Sequence, residues 1–190
     1  MVNRDGLHTL YAQIAARYEA DVIPVFAPLA LDFSRWLLAC SSAYLDGTLD
    51  DPFEADVRQQ RPHPRLSSLN ALDIGTGTGV LARQLAASVG SVTGVDVSTA
   101  MLAAAPTHPH VTLLAADGHH LPFRAGSVRL AASSFGLNTT TPKQSLRQIT
   151  HSLRSNGGIL ALQEWGAMDE LAGAADDVDV SVGDRIEGAR

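Results

Sequence analysis

Asp73 stands two residues before a glycine loop, Gly75-Thr76-Gly77-Thr78-Gly79, and two further acids, Asp96 and Asp117, follow at wide intervals. Glycines in such a loop let a ligand approach the backbone, and they permit positive φ. The loop alone has two uses, because Gly77-Thr78-Gly79-Val80-Leu81-Ala82 also fits the relaxed G-x-G-x-x-A pattern of dinucleotide sites. Charge separates them. A dinucleotide sets its pyrophosphate against the loop and the helix that follows, where the Asp73 carboxylate repels it. A cationic ligand is attracted instead: at ~4 Å and an effective dielectric of ~20 the Coulomb term is about 4 kcal/mol.

Asp96 closes the run Thr93-Gly94-Val95, 21 residues after Gly75. A carboxylate at the end of a second strand can accept hydrogen bonds from both hydroxyls of a ribose. Asp117, after Ala115-Ala116, can accept from an adenine amino group. A lone Asp at a strand end is ordinarily a turn or capping residue. Three of them beside a glycine loop are read here as a site for S-adenosylmethionine (SAM), which carries a sulfonium and an α-ammonium and no phosphate.

The elements that must position these acids are legible from periodicity. Short apolar runs at 70–74, 91–95, 110–115, 127–134 and 158–164 read as strands, with helices at 79–89, 98–105 and 142–154 between them. Ser98 is the expected N-cap and Pro106 the expected stop of one helix, and Gly157-Gly158 turns into the last strand. Alternation of strand and helix implies right-handed crossovers and a parallel sheet covered on both faces. Ligands of such sheets bind outside the carboxyl ends of the strands. Ahead of this core, Leu7, Leu10, Tyr11, Ile14, Ala15 and Tyr18 mark one amphipathic helix, and Leu29, Phe33, Trp36, Leu37 and Cys40 mark a second over 27–40. The reading therefore divides the chain into an N-terminal helical lid (1–40), a proline-bearing loop or insertion (41–69), a Rossmann-like core (70–165) and an acidic tail (166–190).

Composition narrows the partners. The chain has 190 residues, a net charge of −6 and one cysteine. No basic stripe for nucleic acid is visible, and Cys40 alone excludes an internal disulfide or a multi-cysteine metal site. The seven histidines show no ligand spacing, so no metal is expected. The N-terminus leads into a helix rather than a signal-peptide core, and no uninterrupted apolar run reaches the ~18 residues of a membrane span. A cytoplasmic location is expected.

The motifs resemble those of class I SAM-dependent methyltransferases, specifically the branch similar to ubiquinone and menaquinone biosynthesis C-methyltransferases. Leu72-Asp73-Ile74-Gly75-Thr76-Gly77-Thr78-Gly79 resembles the first motif of that family. Val95-Asp96-Val97-Ser98 with Met101-Leu102 resembles its ribose segment, where a hydrophobic residue packs on the adenine. Ala116-Asp117-Gly118 with Leu121-Pro122-Phe123 resembles its adenine segment, and Ser133-Ser134-Phe135-Gly136-Leu137-Asn138 the fourth-strand end where methionine and acceptor meet. The same resemblance implies that Tyr18 lies over the cofactor as part of a lid, that the strand order is 3-2-1-4-5, and that Gly118 and Ser134 join the site. Two departures stand out. Arg129 occupies a position that is often acidic in the family. The family sheet also continues past its fifth strand with a helix and an antiparallel hairpin, roughly sixty residues, whereas only 166–190 remain here. That tail holds seven acids against Arg185 and Arg190. The expectation is a truncated hairpin and an exposed fifth-strand edge, covered by a partner chain such as a second copy.

The chemistry implied is in-line methyl transfer, driven by positioning and water exclusion. A base is needed only when the acceptor must lose a proton; His119, His120, Asn138, Thr139 and Thr140 are candidates. The two histidines read first as solvated loop residues, and no catalytic residue is assigned. Ser134-Phe135-Gly136-Leu137 lacks the Pro-Pro-aromatic run of amino-methylating nucleic-acid enzymes, so a small-molecule acceptor is expected. The alternatives are an incomplete or degenerate SAM-binding domain acting through a partner, and an NAD-dependent oxidoreductase, which the Asp73 charge disfavours.

Overall fold

The computed structural model describes residues 4–48, 63–137, 141–155 and 157–164. Two helices lead, α1 (Arg4–Asp21) and α2 (Ile23–Asp46), then a 3-10 turn (Pro64–Ser68). The core follows as β1 (Asn70–Ile74), α3 (Val80–Leu85), β2 (Ser91–Asp96), α4 (Thr99–Ala104), β3 (Val111–Ala115), β4 (Leu130–Ser134), α5 (Pro142–Ser152) and β5 (Ile159–Gln163). All pairings are parallel, in the order β3-β2-β1-β4-β5. The expected strand order and all five strands are present, within a few residues at their ends.

The register explains the two-sided core. Successive residues of a strand point to opposite faces. Ala71, Leu130 and Ala132 face a layer with Leu81, Leu85, Phe33 and Leu37 from α3 and α2. Leu72, Ile74 and Ala131 face the other layer, with Leu146 and Ile149 of α5. Leu72, Leu81, Leu85, Leu130 and Ile149 are at most 2% exposed, and each contributes roughly 1.5–3 kcal/mol of burial. On β3 the burial alternates weakly, as suits an edge strand. Among the described residues β5 pairs only with β4, so its outer edge carries no strand there.

The region ahead of β1 differs from the sequence reading. The second helix begins at Ile23 rather than 27 and runs to Asp46, so 41–46 is helix and not loop. Its polar residues Ser41 and Ser42 sit mid-helix; the Ser42 hydroxyl donates back to the Leu38 carbonyl at 2.8 Å, as helical serines can. The stop comes at Gly47 (φ +68), whose N–H reaches Tyr44 while Thr48 N–H reaches Ala43, a left-handed cap. Residues 49–62 of the expected insertion and the acidic tail lie outside the described residues. By length and composition α2 is apolar enough to cross a membrane, a property that core helices of folded proteins share, and 28% of its most apolar stretch is buried in the fold. Asp32 and Arg35 interrupt the run in sequence but do not remove that property. One side of α2 packs Ala30, Phe33, Leu37 and Cys40 into the core.

Candidate functional site

The glycine loop is built by backbone contacts at the carboxyl end of β1. Thr76 N–H donates to Val95 O at 2.9 Å and Gly79 N–H to Thr76 O at 2.7 Å. Gly75, Gly77 and Gly79 all have positive φ, as expected of glycine there. Gly75 has a further reason. A Cβ on it would stand 2.5 Å from the Cα of Gly136, beyond β4. The protein's own backbone therefore requires its bareness, a cause the sequence does not reveal. A Cβ on Gly77 would meet only the Met101 methyl, at 3.4 Å.

Asp73 is 1% exposed. Its Oδ2 accepts from the Thr76 hydroxyl at 2.6 Å and from Ala82 N–H, in the first turn of α3, at 3.1 Å. Room for Thr76 comes from Gly94, where a Cβ would lie 2.6 Å from its hydroxyl. Burial pushes the Asp73 carboxyl up to about 7, against the lowering effect of those two hydrogen bonds; Asp96 raises it further. The charge argument therefore works differently from the sequence reading. Oδ2 of Asp73 turns inward and takes an amide of the helix start that a pyrophosphate would otherwise use. An Ala82 amide engaged in this way is not free for a phosphate, whether or not Asp73 touches a ligand.

Asp96, half-buried at the end of β2, accepts from Gly77 N–H through Oδ2 and from Ser98 N–H through Oδ1, both at 2.8 Å. It thus ties the loop to the second strand. Four acceptor positions on a carboxylate, less two amides, leave capacity for two hydroxyls. Ser98 caps α4, as its type implies. Val97 is 47% exposed, while Met101 is buried beneath Gly77 and supports the loop.

Helix α1 lies over this end of the sheet, against α4. Tyr18 and Tyr11 meet edge-on at 6.4 Å. Burial first, then Tyr11, Asp96 and Glu19, push the Tyr18 hydroxyl up to about 12, and burial and Asp96 raise Tyr11. Both rings therefore stand near Asp96, and Tyr11 is a neighbour that the sequence reading did not single out. Arg83 of α3 donates to the Thr78 carbonyl of the loop and to Glu19 of α1 at 3.3 Å. Its charge is paired within the site, so it offers no phosphate-binding cation.

At the end of β3, Asp117 is 44% exposed, but His119 is 2% exposed. The expectation of two solvated histidines holds for His120 (77%) and fails for His119. Its Nδ1 is 2.7 Å from Asp117 Oδ1, and its Nε2 accepts from Thr141 N–H at 2.8 Å. Gly118 is half-buried between them in the chain. The remaining base candidates, Asn138, Thr139 and Thr140, lie outside the described residues.

Beyond β4 the contacts change character. The Ser134 hydroxyl donates to Gln163 Oε1 at 2.8 Å, Phe135 N–H to Gln163 O at 2.7 Å, and Leu137 N–H to Glu164 Oε1 at 2.9 Å. Phe135 has φ +59, the sole positive value off glycine among the described residues, and Phe26 of α2 meets its ring edge-on at 5.4 Å. The sequence holds no local signal for Gln163, Glu164 or Phe26 as neighbours of this strand end.

Comparison with known proteins agrees with this geometry. A family model described as a methyltransferase domain matches residues 71–157. The chain is 38% identical over 89 residues to a demethylmenaquinone methyltransferase of Corynebacterium kroppenstedtii, covering 46% of this chain and 38% of that protein. It is 35% identical over 100 residues to a ubiquinone/menaquinone biosynthesis C-methyltransferase of Syntrophotalea carbinolica, covering 48% and 42%. The chain thus spans less than half the length of these curated relatives. A SAM-dependent methyltransferase structure from Aquifex aeolicus shares the fold, with a TM-score of 0.56 and 20% identity, over 63% of this chain and 76% of that one. Residues 71–157 are thus similar to a methyltransferase domain, and they carry the fold of that SAM-dependent methyltransferase structure.

Proposed function

We propose that this chain binds SAM across the carboxyl ends of β1–β3 and directs its methyl group to a small-molecule acceptor at the end of β4. The observation that carries the reading is Asp96, whose carboxylate is fixed by Gly77 and Ser98 amides at the mouth of the loop and retains capacity for two hydroxyls. Gly75, Thr76, Gly77 and Gly79 form the cradle, with Asp73 turned inward to shape it. Asp96 takes the ribose, Val97 and the Met101-supported loop flank the adenine, and Asp117 with Gly118 reads its amino group. Tyr18 closes the lid, and Ser134 borders the methionine end.

When bound, SAM supplies an electrophilic methyl on a sulfonium whose charge is lost on transfer. The chain's part is to hold, orient and exclude water: the α1 lid over Asp96 and the paired Arg83–Glu19 contact serve the last. The quinone-precursor methylation named for the curated relatives supports a small, apolar acceptor, and the aromatic pair Phe26–Phe135 beside β4 suits one. A second reading rests on the β5 edge, which carries no strand among the described residues: a SAM-binding domain completed by a second copy of the chain. A cytoplasmic site of action goes with either.

The test is calorimetry of the full chain with SAM, S-adenosylhomocysteine and NAD. SAM and S-adenosylhomocysteine are expected to bind and NAD to bind weakly. Asp96→Ala is expected to weaken SAM by roughly 1.5–3 kcal/mol, the range for hydrogen bonds to a charged group, with further loss from the released Gly77 amide. Tight NAD binding without SAM binding would sink the proposal.

A further inference from the structure

Among the described residues, the buried histidine after β3 is a titratable side chain beside the site that the proposed chemistry does not use. His119 is 2% exposed, and hydrogen bonds on both ring nitrogens and on its backbone help to hold it. Its backbone N–H donates to Asp117 Oδ1 at 2.9 Å, and its ring Nδ1 lies 2.7 Å from the same oxygen. Nε2 accepts from Thr141 N–H at 2.8 Å, and the His119 carbonyl accepts from Gln144 Nε2 at 3.5 Å. Because Nε2 accepts, the ring proton sits on Nδ1, which therefore donates to Asp117. Thr141 is the N-cap residue of α5. The ring thus spans from the carboxylate at the end of β3 to the start of a helix 22 residues later.

We propose that His119 is a positioning residue for nucleobase recognition: its two donors fix Asp117 Oδ1, so that the carboxylate is held in the orientation that selects a purine with a 6-amino group. The inference rests on the SAM reading above. Asp117 is 44% exposed, and an exposed carboxylate held by nothing samples several rotamers, which costs binding entropy and blurs selectivity. Two hydrogen bonds to one oxygen remove that freedom. The anchor at Thr141 stops the imidazole from swinging away, as outer partners do for metal ligands. His120, 3.9 Å from Asp117 Oδ2 and exposed, adds no comparable restraint.

Two variants divide the histidine's roles. His119→Asn keeps a donor where Nδ1 stands and loses the Thr141 anchor. His119→Gln reaches Thr141 with an acceptor and loses the donor to Asp117. The measurement is the affinity ratio between S-adenosylhomocysteine and S-inosylhomocysteine, which differ at the 6-position of the base, for the full chain and each variant. The wild type is expected to prefer the adenosyl compound by roughly tenfold or more, the worth of one hydrogen bond to a charged group. His119→Gln should bring the ratio toward one, and His119→Asn should keep most of it. Asp117→Ala, which leaves the histidine in place, should also bring the ratio toward one and serves if either histidine variant fails to fold. An equal ratio in wild type and His119→Gln, whatever both lose in affinity or melting temperature, overturns the role, as does a preference that survives Asp117→Ala. Wild type that binds both ligands equally overturns it as well and leaves the SAM reading intact. Wild type that binds neither overturns the SAM reading itself.

Discussion

The two halves of the strand-end crevice are built by different means. On the β1–β3 side, Asp73 and Asp96 are held mainly by backbone amides: Ala82, Gly77 and Ser98. On the β4–β5 side, Ser134 and Leu137 are held by side chains of Gln163 and Glu164, and Phe135 by the Gln163 carbonyl and a ring from α2. Backbone donors do not change when neighbouring side chains drift, so the first half forms a fixed mould for one ligand. Side-chain contacts can be rewritten one residue at a time, as suits the half to which the proposed function assigns a variable acceptor.

The sharpest way to break this comparison is to attack the seam between the halves. Gly75 belongs to the mould and Gly136 to the other side, and their backbones touch. Gly75→Ala pays for a left-handed conformation, about 1–2 kcal/mol, and also forces Gly136 away from a Cβ placed 2.5 Å from its Cα, about 1–3 kcal/mol more. A loss of roughly 3–4 kcal/mol is expected in urea unfolding. Gly77→Ala has a similar φ but meets only the mobile end of Met101, and should lose about 1–2 kcal/mol. Equal losses would show that conformation alone, not close approach of the two halves, requires the first glycine.

A pH titration sharpens the comparison next, because the β1 side holds the buried acid. The Asp73 carboxyl is raised from 3.8 to about 7 in the folded chain. Folding therefore favours its protonated form, so its contribution is full below pH ~4 and is lost as pH rises through about 7. The melting temperature of the ligand-free chain is expected to fall between pH 5 and 8, and Asp73→Asn to flatten that slope. SAM, being cationic, favours the ionised form; its affinity should rise over the same interval, with proton release on binding. A wild-type slope no steeper than that of Asp73→Asn would remove the buried charge from the account.

Legibility in the sequence follows the same division. The five strands, Ser98 as a cap and the acids at strand ends follow from period and residue type, which are local. The type and place of Asp73 are local, but its direction is not, because one partner that turns it inward, Ala82, acts through a helix start formed only in the fold. His119 looked like any loop histidine, since its burial depends on Thr141 arriving from 22 residues away. Gly94 and Gly136 are ordinary glycines until register sets them against Thr76 and Gly75. Helix α2 extends beyond 27–40 at both ends, although Pro28 stands inside it; at its C-terminal end Ser42 bonds back to the preceding turn.

The smallest effect probes the acceptor half. Phe135 holds φ +59, a conformation that costs a side-chain-bearing residue about 1–2 kcal/mol. Its ring meets Phe26 edge-on, worth about 0.5–1.5 kcal/mol beyond area burial. Phe135→Gly relieves the strain but loses this contact and the ring's half-buried area, so it should cost the wild type about 1 kcal/mol. In a Phe26→Ala background the ring has lost that partner while the strain is unchanged, and the same substitution should then cost about 0.5–1 kcal/mol less. The difference between backgrounds is the coupling between α2 and the end of β4. Additivity within about 0.3 kcal/mol would mean that Phe26 does not hold the strained residue.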